Sequence, residues 1–232
     1  MLYGDAGMAV VVVAQATGQH GWSSLESYRN GLQQLGASVD TMRPHGRWGA
    51  SRLDDDGGLV ARLHQGRRDV LVLCGFDWHS QPMHTDPRVR DALLAHAGPR
   101  IGIFQEHLAA RWIRDDSNLA RLFEEAALAA CELLTHVACN HEDDVALLRS
   151  MGVRLPILYL PFCADLATFK RQRSMGQRDP RAFFRGKKLE FQSASPYADR
   201  EAMVACLRET TKAVVEDLPA AALLDREGMS RQ

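Results

Sequence analysis

Histidines and acids gather just behind the hydrophobic runs of this chain. His79 and His84 lie in FDWHSQPMHTD, Glu106 and His107 in IFQEHL, and His20 in the turn TGQHGWS. An imidazole at the end of a buried strand suits two tasks: taking a proton from a hydroxyl, or hydrogen-bonding a sugar. Glu106 and His107, directly after a strand, are the pair a structural role explains least well. Asp77, Trp78 and His79 are expected on the same wall. For any one of these histidines the alternative is a surface or satisfied interior side chain. Zinc is a poor fit, because His79 and His84 sit in a proline-containing loop with no Cys or acid ladder to complete a tetrahedral set.

The turn Thr17–Ser23 follows the first hydrophobic run and leads into a helix, a position where free amide groups favour an anion. Three readings stay open for Gly18, His20 and Gly21. One is a dinucleotide site, with Asp40 near the place of a ribose-binding acid, although the GxGxxG pattern is missing. A second is a loop lining an interdomain cleft and touching a sugar or phosphate. The third is a plain tight turn, which accounts for both glycines but not for His20.

These residues need a scaffold, and the hydrophobic pattern supplies one. Met8–Gln15 (MAVVVVAQ) is a continuous β-branched run, as expected of a strand buried on both faces. Ser23 and Glu26 form a capping box for a helix whose Leu25, Tyr28, Leu32 and Leu35 make one apolar stripe, ended by Gly36. Further strands are predicted at Ser38–Met42, Asp69–Cys74, Arg100–Gln105, Val137–Cys139 and Ile157–Leu160. Leu59–Leu63 and Asp91–His96 are predicted helical. A long helix capped by Asp116 or Ser117 presents Leu119, Leu122, Phe123, Ala126, Ala127, Ala130, Leu133 and Leu134. Asn140 is read as the cap of a helix carrying Val145, Leu148 and Met151, stopped at Gly152. Strands alternating with helices imply an α/β fold with a doubly wound parallel sheet.

Residues 1–165 therefore read as one complete domain. Residues 166–180, polar and basic, suit a linker. Residues 181–232 begin a second α/β unit, with a strand at Ala182–Gly186 and a helix at Asp199–Glu216, and are expected to be an incomplete domain. Two-domain proteins of this kind work in the cleft between the domains.

Composition narrows the classes. Hydrophobic residues make up 46% of the 232 residues and charged ones 25%, as in ordinary globular chains. A net charge of −1 points to neither nucleic acid nor an anionic membrane. The five cysteines (Cys74, Cys131, Cys139, Cys163 and Cys206) form no CxxC pair, which favours reduced, buried thiols and a cytoplasmic setting. The longest apolar run, Met8–Ala14, is too short to span a bilayer, and no basic region precedes it as in a signal peptide. Peripheral membrane contact stays open.

The segment VACNHEDDVALLRSMGVRLPILYLPFCAD (Val137–Asp165), with Phe169 behind it, resembles the end of the N-terminal, Rossmann-like domain of GT-B glycosyltransferases, in particular the bacterial CgeB-like group. A strand leads to a polar helix start, a Leu-Arg-x-x-Gly-Val helix end, and a strand finishing in Pro161-Phe-Cys-Ala-Asp165. AFFRGK, with Tyr197 and Arg200, resembles the start of the second domain. The resemblance covers the last hundred or so residues best and the first half by strand order.

It implies a nucleotide-sugar donor held by the C-terminal domain, a glycan or lipid-linked acceptor held by the N-terminal one, and no cofactor or metal. Gly18–Gly21 and His107 match positions that face the transferred sugar. Arg185 and Lys187 match a region that meets the donor diphosphate; a solvated basic turn is the alternative there. The late acidic donor motif of the family is missing, and Glu201 and Glu209 satisfy Glu-x7-Glu by letter only. Two other readings stand beside hexose transfer: a non-catalytic binding or assembly module, and a nucleotide-dependent oxidoreductase disfavoured by the absent glycine fingerprint.

Overall fold

The computed structural model describes residues 10–16, 25–46, 51–77, 81–161, 183–187, 205–206, 209 and 214–218. The chain divides into two compact units, Met1–Asp165 and Leu166–Gln232. In the first, β1 (Val10–Ala14), β2 (Ser38–Met42), β3 (Val70–Cys74), β4 (Arg100–Phe104), β5 (His136–Cys139) and β6 (Ile157–Tyr159) form one sheet. All pairings are parallel and the spatial order is β2-β1-β3-β4-β5-β6. The unit is thus α/β with a six-stranded parallel sheet flanked by helices, consistent with a Rossmann-like fold.

Strand order decides which helix covers which face. The chain steps one way from β1 to β2, then returns past β1 and continues outward to β6. Right-handed crossovers put α1 (Leu25–Gln34) on one face and the later helices on the other. The packing agrees. Leu25, Tyr28 and Leu32 of α1 pack with Val11, Val13, Val72, Cys74, Ile103 and Ala138. The opposite faces of the same strands (Val12, Leu71, Leu73, Phe104, Val137) join α2 (Leu59–Gln65), α4 (Pro87–Leu94), α6 (Ser117–Cys131) and α7 (Glu142–Ser150). Strands covered on both faces cannot alternate with polar residues, which is why β1 reads VVVVA and β3 VLVLC. Each fully buried Leu in these layers contributes about 1.5–3 kcal/mol.

The amino ends of the strands are tied by polar contacts. Arg100 Nε donates to the Leu133 carbonyl at 2.7 Å, and the same guanidinium bonds the His96 carbonyl. A ring nitrogen of His96, Nε2, meets the Asp69 carbonyl at 2.8 Å. Gly102 lets the turn after α6 approach β4, since a Cβ there would lie 2.4 Å from Leu134 Cδ1.

Several expectations are corrected. Leu35 is 85% exposed, because α1 stops at Gln34 and the chain turns at Gly36 with φ +87°. His84 lies in a short helix, α3 (Gln81–Thr85), and α5 (Arg111–Arg114) is a further short helix without an apolar stripe to announce it. The helix expected at Asp91–His96 starts earlier, at Pro87, with the Asp86 side chain as its cap. On α6 the cap is Asp116, whose Oδ1 accepts from the amides of Asn118 and Leu119 at 2.9 and 3.1 Å. Asn140 does not cap α7; the N-cap position is His141, and Asn140 Nδ2 donates to the Leu160 carbonyl at 2.6 Å instead.

In the second unit, β7 (Phe183–Lys187) and β8 (Val214–Leu218) pair in parallel. Residues 214–216, expected in a helix, belong to β8. Ser23, the predicted cap of α1, and the expected linker 166–180 lie outside the described residues.

Candidate functional site

An open parallel sheet places its reactive loops beyond the carboxyl ends of the strands, where neighbouring connections diverge. The one reversal of direction here lies between β1 and β3. Of the residues expected beyond β1, Gly18, His20 and Gly21 lie outside the described residues, as do Trp78 and His79 beyond β3. The described part of the site therefore spans the ends of β3, β4 and β5.

Asp77 leaves β3 completely buried, and its Oδ2 accepts from the amides of Gln105 and Glu106 at 2.5 and 2.9 Å. This carboxylate ties the end of β3 to the loop that follows β4. Its own carbonyl meets Nε2 of His84 at 3.0 Å, so that ring nitrogen is the donor. Burial pushes the His84 pKa down, with the nearby Asp77 opposing, and Phe76 packs edge-on against its ring at 5.6 Å. The visible part played by both Asp77 and His84 is to brace the loop; neither side chain reaches solvent.

The loop after β4 carries Glu106 and His107, both of intermediate burial. A second buried carboxylate holds its far side. Asp144, in the first turn of α7, accepts from the Ala109 amide through Oδ1 at 2.7 Å. Burial raises the Asp144 pKa. The Ala109 amide first, and then the nearby His107 and His141, oppose that rise.

His107 itself stacks on His141, two residues beyond the end of β5. Its Nε2 lies 3.9 Å from Asp143 Oδ2, beyond hydrogen-bonding reach. His107 Nε2, Asn140 Oδ1 and Asp144 Oδ2 are buried atoms without a hydrogen-bond partner among the described residues.

This arrangement restricts the chemistry. Amides at strand ends in α/β proteins commonly cradle phosphate. Here the amides of Gln105, Glu106 and Ala109 are all occupied by carboxylates. Glu142, Asp143 and Asp144 add negative charge at the start of α7. The β4–β5 edge is therefore hostile to a phosphate and suited to a neutral, hydroxyl-bearing ligand facing an imidazole.

Other groups are excluded from chemistry by their settings. Cys139 and Cys131 have thiols pushed up to about 12 by burial, and Cys74 is pushed up further, so none is a ready thiolate. Among the described residues, no group of three or more His, Cys, Asp or Glu side chains is placed to hold a metal ion. Asp40 is mid-strand in β2 and paired with Arg62 of α2 at 2.9 Å, away from the strand end where a ribose would bind. Arg185 and Lys187 lie on β7, in the second unit.

Sequence reasoning missed His141 and Asp144. The signal was available for His141, which follows β5 as His107 follows β4. Asp144 carried none, because its partners are remote in sequence.

The fold and these loops define an α/β protein with a parallel sheet and an imidazole-bearing edge. No known protein-family model matches the chain, and no curated protein matches it. Among the described residues no helix is long and apolar enough to cross a membrane.

Proposed function

We propose that this chain is a glycosyltransferase of the GT-B type that moves a hexose from a nucleotide sugar to a bacterial glycan or lipid-linked acceptor. The first unit takes the acceptor, and the second, with Arg185 and Lys187 on β7, meets the donor diphosphate. The protein works in the cytoplasm and needs no metal or further cofactor.

One observation carries the reading: a half-buried imidazole, His107, stands on a loop pinned by two buried carboxylates whose bonds use up the phosphate-binding amides. Such an edge favours a sugar hydroxyl over a nucleotide. In the reaction His107 takes the proton of the acceptor hydroxyl. That oxygen then bonds to the anomeric carbon as the bond to the diphosphate breaks, and cationic groups offset the leaving charge. Glu106 and the turn bearing Gly18, His20 and Gly21 complete the sugar-facing wall, with Trp78 and His79 alongside. The resemblance of Val137–Asp165 to GT-B enzymes supports the same assignment.

Calorimetry with UDP, GDP and NAD tests the proposal. Binding of a nucleoside diphosphate without NAD supports it. Binding of NAD alone overturns it in favour of an oxidoreductase.

A further inference from the structure

Asp144 has properties that its own helix does not require. It sits in the first turn of α7, where a carboxylate can serve the helix's free amides, yet its hydrogen bond goes to another loop. The donor, the Ala109 amide, lies two residues after His107. The side chain is fully buried, and its second oxygen has no hydrogen-bond partner among the described residues. The carboxylate also interacts electrostatically with both His107 and His141. A buried charge with one oxygen unsatisfied opposes stability, and such arrangements persist where function selects them.

We propose that Asp144 is a positioning residue for His107: it fixes the backbone carrying that imidazole and, by its charge, keeps the His107–His141 ring pair in register. The proposal rests on reading His107 as the reactive group, and not on which group is transferred. Asp77 secures the Gln105–Glu106 side of the loop and Asp144 secures the other. His107 is thereby held from both flanks of its own backbone and from one face of its ring.

Histidine ring spectra of the full chain, assigned with His107→Gln and His141→Gln, test this. Stacked rings shield each other's protons. Asp144→Ala is expected to remove that shielding at both rings and to speed amide exchange at Ala109 about tenfold or more. Turnover should fall on the order of 100-fold with KM unchanged, as expected when a reactive group is misplaced rather than removed.

Asp144→Asn keeps an acceptor for Ala109 but loses the charge. It should retain the exchange protection and still shift the ring signals. Wild-type ring signals in folded Asp144→Ala overturn the proposal. If that variant does not fold, unchanged ring signals in Asp144→Asn do so instead. Should His107→Ala leave transfer intact while Asp144→Ala still separates the rings, the functional reading fails and the positioning role stands.

Discussion

The imidazoles of His107 and His141 lie face to face, with ring centroids 4.2 Å apart and planes 9° from parallel. One ring comes from the loop after β4 and the other from the second residue after β5, so the stack joins two adjacent strand ends. Asp77 pins the loop that bears His107 at Gln105, ahead of the ring, and Asp144 pins it at Ala109, behind it in sequence.

His107→Ala separates chemistry from stability. The ring is about one-third exposed, so its loss costs the stack and little else, below about 1.5 kcal/mol. Transfer should fall by a factor of about 100 to 10,000. Steady-state kinetics together with thermal unfolding check both halves.

Asp77→Ala should do the reverse and damage the fold first. It leaves the amides of Gln105 and Glu106 without their acceptor beside a buried strand end. A loss of about 2–4 kcal/mol is expected, read as a lower urea midpoint with an unchanged slope.

The scaffold was legible where burial is two-sided. VVVVA and VLVLC can hardly be anything but central parallel strands, and Ser38–Met42 was located to the residue. Short helices were not legible. α3 contains Pro82 and spans five residues, and α5 spans four (RWIR), so neither is long enough to show a 3.6-residue apolar period. The Asp86–Pro87 start of α4 did carry a readable cap and first-turn proline. At the site, local position was enough to single out His107. The carboxylates that hold it act across 28 and 35 residues of sequence, and no local pattern encodes a contact of that range.

Asp144→Asn should leave stability at pH 7 equal to or above that of the wild type. Burial raises the folded-state pKa of Asp144 above its ordinary carboxyl value. Its contribution to stability is therefore complete below the unfolded value near 3.8 and is lost as pH rises through the folded value. The wild type should gain on the variant as pH is lowered towards 4, which urea unfolding at several pH values measures.

His84 and Asp86 predict the acid limb. The His84 pKa is lowered by burial, so its contribution is complete above the unfolded value of 6.5 and declines as pH falls below it. Asp86, held down to about 2 chiefly by its hydrogen bonds with Arg88, adds a second loss between 3.8 and about 2. Stability measured from pH 7 to 5 should fall in the wild type and stay flatter in His84→Gln.

Sugar transfer at His107 can be measured directly. Isotope-labelled UDP- and GDP-hexoses incubated with the protein and a mixture of bacterial glycan and lipid-linked acceptors, followed for nucleoside diphosphate release and label transfer, give the direct measurement. Transfer from one of these donors is expected of the wild type, and none above background of His107→Ala. Equal transfer by the two proteins, or no transfer from any nucleotide sugar, would contradict the role of His107 in sugar transfer.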